Sequence, residues 1–83
     1  MTINLLKGSF LAKDLENIIT EMVQVKIKYH EEKIKTTDEE ETIKMRENRI
    51  IKLQNSLNDL RAFIKINPDA MINADSEITI TKN

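Results

Sequence analysis

The stretch Thr36-Thr37-Asp38-Glu39-Glu40-Glu41 decides the fold, because it divides the chain into two long segments that both have the periodicity of a helix. Thr37 and Glu40 have the spacing of a capping box, and an acidic run is favourable at the N-terminal end of a helix. The sequence therefore predicts that one helix ends near residue 35 and that a second begins near residue 38. A connection this short makes the two helices antiparallel neighbours.

Both segments carry apolar residues at alternating spacings of three and four, which places these residues on one side of a helix. The predicted helices span residues 11–35 and 38–66, and the second ends before Pro68. The stripe of the first helix consists of Leu11, Leu15, Ile18, Met22, Val25 and Tyr29, and that of the second consists of Ile43, Arg46, Ile50, Leu53, Leu57, Leu60 and Ile64. Pairing the stripes about the turn places Tyr29 opposite Arg46, where a guanidinium can lie over the ring.

The two ends of the chain alternate polar and apolar residues, as β-strands do. The predicted strands span residues 2–7 and 76–81, and Gly8 separates the first strand from Ser9, the predicted N-cap of the first helix. Two short strands need an apolar surface to cover, and the pattern leaves open whether they pair within one chain or between two. The sequence thus predicts a mainly α single domain, 1–83, of order β-α-α-β, built on a coiled-coil-like antiparallel two-helix hairpin.

A second apolar flank on the first helix predicts a partner for the hairpin. This flank, the candidate interaction surface, consists of Ile19, Val23, Ile27 and Ile34. A lone two-helix hairpin would leave it in water. The strands are one candidate cover, and a second copy of the chain, which would complete a four-helix bundle, is another. We therefore expect a homodimer or a complex with another protein.

The composition narrows the class of protein. The chain has 13 basic and 14 acidic residues, one histidine and no cysteine, so neither disulfides nor cysteine-bound zinc can stabilise it. No segment has the length and apolarity of a membrane span, and the N-terminal segment lacks the pattern of a signal peptide. A cytoplasmic protein is expected.

The residues that usually carry catalysis form no known pattern in this sequence. His30 is followed by two glutamates, but Ile34 stands where the HExxH zinc motif has its second histidine. Ile27 stands where the ExxH pair of di-iron bundles has its glutamate. No serine has the context of a nucleophile, and one glycine cannot make a phosphate-binding loop. We expect no enzyme activity, no catalytic or metal-binding residue, no cofactor and no small-molecule substrate.

Basic residues are concentrated on both sides of the turn. Residues 26–35 contain four lysines and His30 against two glutamates, and residues 44–52 contain four basic residues against one acidic residue. The hairpin brings these segments together, and a basic surface of this kind can bind phosphate groups. The candidate basic patch consists of Lys26, Lys33, Arg46, Arg49 and Lys52. Alternatively these side chains only keep the helices hydrated, because three glutamates interrupt the patch.

The sequence therefore favours a non-enzymatic module for self-association or protein interaction. A nucleic-acid-binding adaptor that uses the basic patch is the alternative. An accessory subunit of a larger protein differs from the first reading only in which protein covers the apolar flank. A membrane partner is not expected, since the net charge is −1.

Overall fold

The computed structural model describes all 83 residues and has the element order β-α-α-β. Strand β1 spans Thr2–Leu11, helix α1 spans Ala12–Lys35, helix α2 spans Glu40–Ile66 and strand β2 spans Met71–Thr79. The predicted hairpin of two long helices around a short turn is confirmed. The molecule is flat, with Cα extents of 46 × 31 × 14 Å.

The turn between the helices lies where the sequence predicts it, but the predicted capping box does not form. The hydroxyl oxygen of Thr37 accepts a hydrogen bond from the backbone N–H of Glu39 at 3.2 Å, so it serves the turn itself. No side chain caps α2. The acidic residues Glu40 and Glu41 occupy its first turn, where the helix dipole favours them.

The two strands pair with each other within the chain as an antiparallel two-stranded ribbon. Strand β1 continues through Gly8, past its predicted end, because Gly8 adopts φ 125°, which L side chains rarely do. Ser9 is therefore a strand residue whose hydroxyl donates to Asn73 across the ribbon, and not the N-cap of α1. Strand β2 also begins earlier than predicted, with Met71 opposite Leu11.

A β-bulge at Leu5 lets the adjacent residues Leu5 and Leu6 both lie on the side of the ribbon that faces α1. Leu5 and Leu6 are adjacent and would point to opposite faces of a regular strand. The register shifts between Asn4 and Leu6, which makes Leu5 the additional residue of a bulge. Leu6 is buried, and the residues of β2 that share its face are half-buried in alternation with exposed ones. The ribbon thus packs its apolar inner face towards the helices.

Towards the turn, α1 meets α2 one residue further along than predicted, whereas at the base Leu15 of the predicted stripe is buried. His30, the residue after Tyr29, forms a hydrogen bond with Arg46 across the helix pair, with 3.0 Å between the two nitrogens. Val23 is only 9% exposed, whereas Val25 of the predicted stripe is 71% exposed. A shift of one residue corresponds to a rotation of about 100° around the helix axis.

The rotation has a physical reason, because α1 is apolar on two sides and the chain uses both. The flank predicted to bind a partner consists of Ile19, Val23, Ile27 and Ile34. In the structure Val23 is buried and the other three are half-buried. Met22 and Val25 of the predicted stripe lie beside Leu5 of the ribbon, whereas Leu15 of the same stripe is buried at the base. The periodicity of α1 fits either arrangement, and the ribbon covers the side that α2 leaves free.

Few side chains are fully enclosed by this arrangement. Seven residues are buried, namely Leu6, Ala12, Leu15, Val23, His30, Leu57 and Ile64. On α2 the buried residues Leu57 and Ile64 both belong to the predicted stripe. The apolar residues at the base of the hairpin, where the ribbon joins α1, make up most of this small core.

Candidate functional site

The ribbon and α1 enclose an open apolar groove that helical periodicity alone did not predict. Strand β1 runs back along α1 from Leu11, so Leu5 lies about 20 Å from the junction between them. About 13 residues of helix cover the same distance, which brings Leu5 level with Val25. The groove has a volume of about 450 Å³ and is lined by Leu5, Met22, Val25, Lys26 and Tyr29.

This groove exposes apolar side chains to solvent. Val25 is largely exposed, Leu5 is about half exposed, and Lys26 is the only charged residue in the lining. We call Leu5, Met22 and Val25 the open face. At the far end of the ribbon, Ile78 and Ile80 are exposed as well. Contiguous apolar residues of this kind are typical of a surface that contacts another apolar surface.

Three cations surround the ring of Tyr29, at the end of the groove nearer the turn. The Nζ atoms of Lys26 and Lys33 lie 5.4 Å and 5.8 Å from the ring centroid. The guanidinium carbon of Arg46 lies 5.6 Å from the same centroid, which confirms the predicted contact between Arg46 and Tyr29. All three distances are within the range of cation-π attraction, which contributes about 0.5–1 kcal/mol at exposed sites.

None of these cations has a carboxylate partner. The ion pairs of the chain join Lys44 to Glu40 at 3.7 Å and Arg61 to Glu16 at 3.8 Å. Neither pair includes a residue of the predicted basic patch. The three glutamates that interrupt the patch in the sequence form no ion pair with it. The positive charge around Tyr29 is therefore not neutralised within the chain.

His30 is buried between the two helices, with 1% of its surface exposed. Arg46 Nη1 lies 3.0 Å from His30 Nδ1, and since a guanidinium can only donate, Nδ1 accepts and the ring proton is on Nε2. Burial lowers the pKa of His30 from its ordinary value of 6.5, and the charges of Lys26, Arg46 and Arg49 lower it further. His30 is thus neutral at pH 7 and adds no charge to the basic patch.

The pair of His30 and Arg46 also contains two buried donors without an acceptor in the chain. These are Nε2 of His30 and Nε of Arg46. A buried donor that lacks a partner costs about 1–3 kcal/mol. The hydrogen bond between His30 and Arg46 therefore does not offset the whole cost of burying the two polar groups.

The structure brings four of the five predicted basic-patch residues together. Lys26, Lys33 and Arg46 surround Tyr29, and Arg49 is close enough to His30 to lower its pKa. Lys52, the fifth, is exposed and forms no ion pair. Sequence reasoning missed Leu5 as a site residue, although the adjacent pair Leu5-Leu6 breaks the strand alternation and so indicates a bulge.

The remaining features of the chain define its structural class. No group of three or more His, Cys, Asp or Glu side chains is placed to hold a metal ion, and neither helix combines the length and apolarity needed to cross a membrane. No family model, curated protein or solved structure matches this chain. The fold and the site define a β-α-α-β helical hairpin with an open apolar groove next to a group of unpaired cations.

Proposed function

We propose that this chain is a non-enzymatic interaction module that self-associates through the open face, Leu5, Met22 and Val25. The observation that carries the proposal is the area of surface that a single chain leaves in contact with water. The exposed residues of the open face, Leu5 and Val25, are apolar.

A single chain exposes more surface than a folded monomer of its mass usually does. Its accessible surface is 6721 Å². The general relation between mass and surface gives about 5,100 Å² for a monomer of 9.7 kDa, so the excess is about 1,600 Å². A standard protein interface buries about 800 Å² on each partner. The excess is therefore large enough to supply a stable interface.

The properties of the open face favour a second copy of the chain as the partner that covers it. The net charge is −1, so two copies do not repel each other at long range. A two-fold axis brings the same patch of both copies together. Because the patch is apolar, each of its side chains then meets an apolar side chain of the other copy.

The proposed dimer contains four helices, as the sequence predicts, but a different part of α1 makes the contact. In the single chain Val23 of the predicted flank is buried, and Ile19, Ile27 and Ile34 are half-buried. Val25 lies two residues after the buried Val23, about 200° further around the helix, and is therefore turned away from α2. The contact between copies then forms beside Val25 and not beside Val23.

Sedimentation equilibrium at micromolar to near-millimolar concentrations should show a dimer. Val25→Glu should give a monomer, because association would bury an unpaired carboxylate against apolar groups. The fold of the single chain should persist, since Val25 is 71% exposed in it. Gln24→Glu is the matched control, because it adds the same charge at the neighbouring exposed position outside the open face.

A wild-type chain that stays monomeric over this range contradicts the proposal. A dimer that survives Val25→Glu would place the contact elsewhere and would refute the assignment of the open face. Far-ultraviolet circular dichroism of each variant separates loss of association from loss of the helices.

A further inference from the structure

We infer that the basic residues near the turn bind the phosphate groups of a nucleic-acid strand. The site, which we call the cation cluster, consists of Lys26, Lys33 and Arg46 around Tyr29, and of Arg49 about one helical turn after Arg46. It is formed within a single chain by α1 and α2, so it does not depend on the proposed self-association.

The cation cluster forms no ion pair, although the chain has enough carboxylates to pair it. The chain holds 14 acidic residues, and yet both of its ion pairs lie outside the cluster. The ring of Tyr29 attracts each cation, but the cations repel one another, so an anion that binds among them is stabilised. Since the net charge of the chain is −1, a generally basic composition does not explain the cluster.

The cations of the cluster are spread over both helices. Lys26 and Lys33 are seven residues apart on α1, which separates their attachment points by about 10 Å. Arg46 approaches from α2 on the other side of Tyr29. One phosphate group is too small to contact all of these side chains. A nucleic-acid strand presents a phosphate at every nucleotide, and so several of its phosphates can bind at once.

An aromatic ring, that of Tyr29, lies at the centre of the cluster. Tyr29 is about half exposed, and it also lines the end of the apolar groove. Aromatic side chains beside a positive surface let single-stranded bases stack while the backbone contacts the cations. This combination favours a strand with unpaired bases over an acidic protein segment.

Fluorescence anisotropy with labelled single-stranded RNA and DNA oligonucleotides tests the inference. Binding is expected at low ionic strength and should weaken steeply as salt is added. Inorganic phosphate, at an equal concentration of phosphate groups, should compete poorly. Equal competition by free phosphate would show a site for one phosphate, and equal binding of polyglutamate would show recognition of charge alone. Either result, or no binding at low salt, overturns the inference.

A pair of double variants makes the test specific to the cluster. Lys26→Gln with Lys33→Gln should weaken binding at least tenfold and reduce the slope of log affinity against log salt by about 1.4. The matched control, Lys13→Gln with Lys65→Gln, removes the same charge outside the cluster and should change affinity by no more than about twofold. All four lysines are exposed, so the fold should persist in both variants. Equal losses in the two variants contradict the assignment.

Sedimentation of a variant outside the groove separates this inference from the proposed function. Lys33→Gln with Arg49→Gln changes two exposed residues that do not line the groove, so it should weaken binding to the oligonucleotide and remain dimeric. A wild-type chain that binds the strand as a monomer would refute the proposed self-association and leave the cation cluster intact.

Discussion

The two ends of the helical hairpin are held together by different chemistry. At the base, next to the ribbon, the buried side chains are apolar and include Leu15, Leu57 and Ile64. Near the turn the only fully buried side chain is that of His30, which is hydrogen-bonded to Arg46. The same pair of helices therefore has an apolar contact at one end and a polar contact at the other.

This difference bears on which end of the hairpin stabilises the fold and which end holds the candidate binding site. Burial of apolar surface at the base contributes about 25 cal/mol per Å² without leaving polar groups unpaired. The end near the turn contains two donors without an acceptor and a group of unpaired cations. We therefore expect the apolar contacts at the base to supply most of the free energy of unfolding. The side chains near the turn should contribute less to stability, and we expect them to form the binding site.

The largest effect is expected from Leu57→Ala at the base. Leu57 is 7% exposed, and its truncation should lower the free energy of unfolding by about 2–5 kcal/mol through lost burial and a residual cavity. Ile51→Ala on the same helix is the control, because Ile51 is 52% exposed and its loss should cost about 0.5 kcal/mol or less. Urea denaturation followed by circular dichroism measures both.

Equal losses for the two variants would contradict the view that the base carries the stability. If Leu57→Ala does not fold, Leu57→Val provides the measurement, because it removes less of the side chain and keeps an apolar group at the same position.

The sequence predicts the parts of this fold that depend on local chemistry. The turn lies between the predicted helices, and α2 contacts α1 through its predicted stripe, because α2 has only one strongly apolar side. The hydrogen bond of Arg46 crosses between the helices at a position of that stripe. The convergence of Lys26, Lys33 and Arg46 also follows from the predicted antiparallel pairing of the charged segments.

The parts that sequence reasoning missed depend on competition between surfaces. Helix α1 has two apolar sides, and only the position of the ribbon decides that Val23 and not Val25 meets α2. The groove depends on the bulge at Leu5, which changes the face of one residue. The burial of His30 follows from the one-residue rotation of α1, which a sequence with two equivalent stripes does not specify.

A double-mutant cycle at His30 and Arg46 tests the polar end of the hairpin. Arg46→Leu alone should lower the free energy of unfolding by about 1–3 kcal/mol, because it leaves both nitrogens of a buried imidazole without a partner. Adding His30→Leu should recover most of this loss, since two apolar side chains can replace a buried polar pair at little cost. Urea denaturation of the two single variants and the double variant gives the coupling energy.

Additive losses in this cycle would mean that His30 and Arg46 do not depend on each other. The double variant should then be less stable than either single variant. In that case the region near the turn would contribute to stability in the same way as the base, and the contrast between the two ends would fail.

The smallest effect is expected from a change of pH. In the folded chain the pKa of His30 is lowered by burial and by the charges of Lys26, Arg46 and Arg49. The unfolded chain therefore binds the proton more readily. The contribution of neutral His30 to stability is therefore fully present above pH 6.5 and is lost as the pH falls below 6.5 towards the lowered pKa. The free energy of unfolding should decrease by at most about 1.4 kcal/mol per pH unit in this range.

Urea denaturation between pH 7 and pH 5.5 isolates this effect, because carboxyl groups ordinarily titrate below about pH 5. His30→Leu should remove the pH dependence in that window, whereas Leu57→Ala should lower the stability at every pH and keep the dependence. A dependence that persists in His30→Leu would assign the titration to another group. It would also mean that the surrounding cations do not oppose the protonation of His30. This opposition is the property that makes the polar end of the hairpin different from its base.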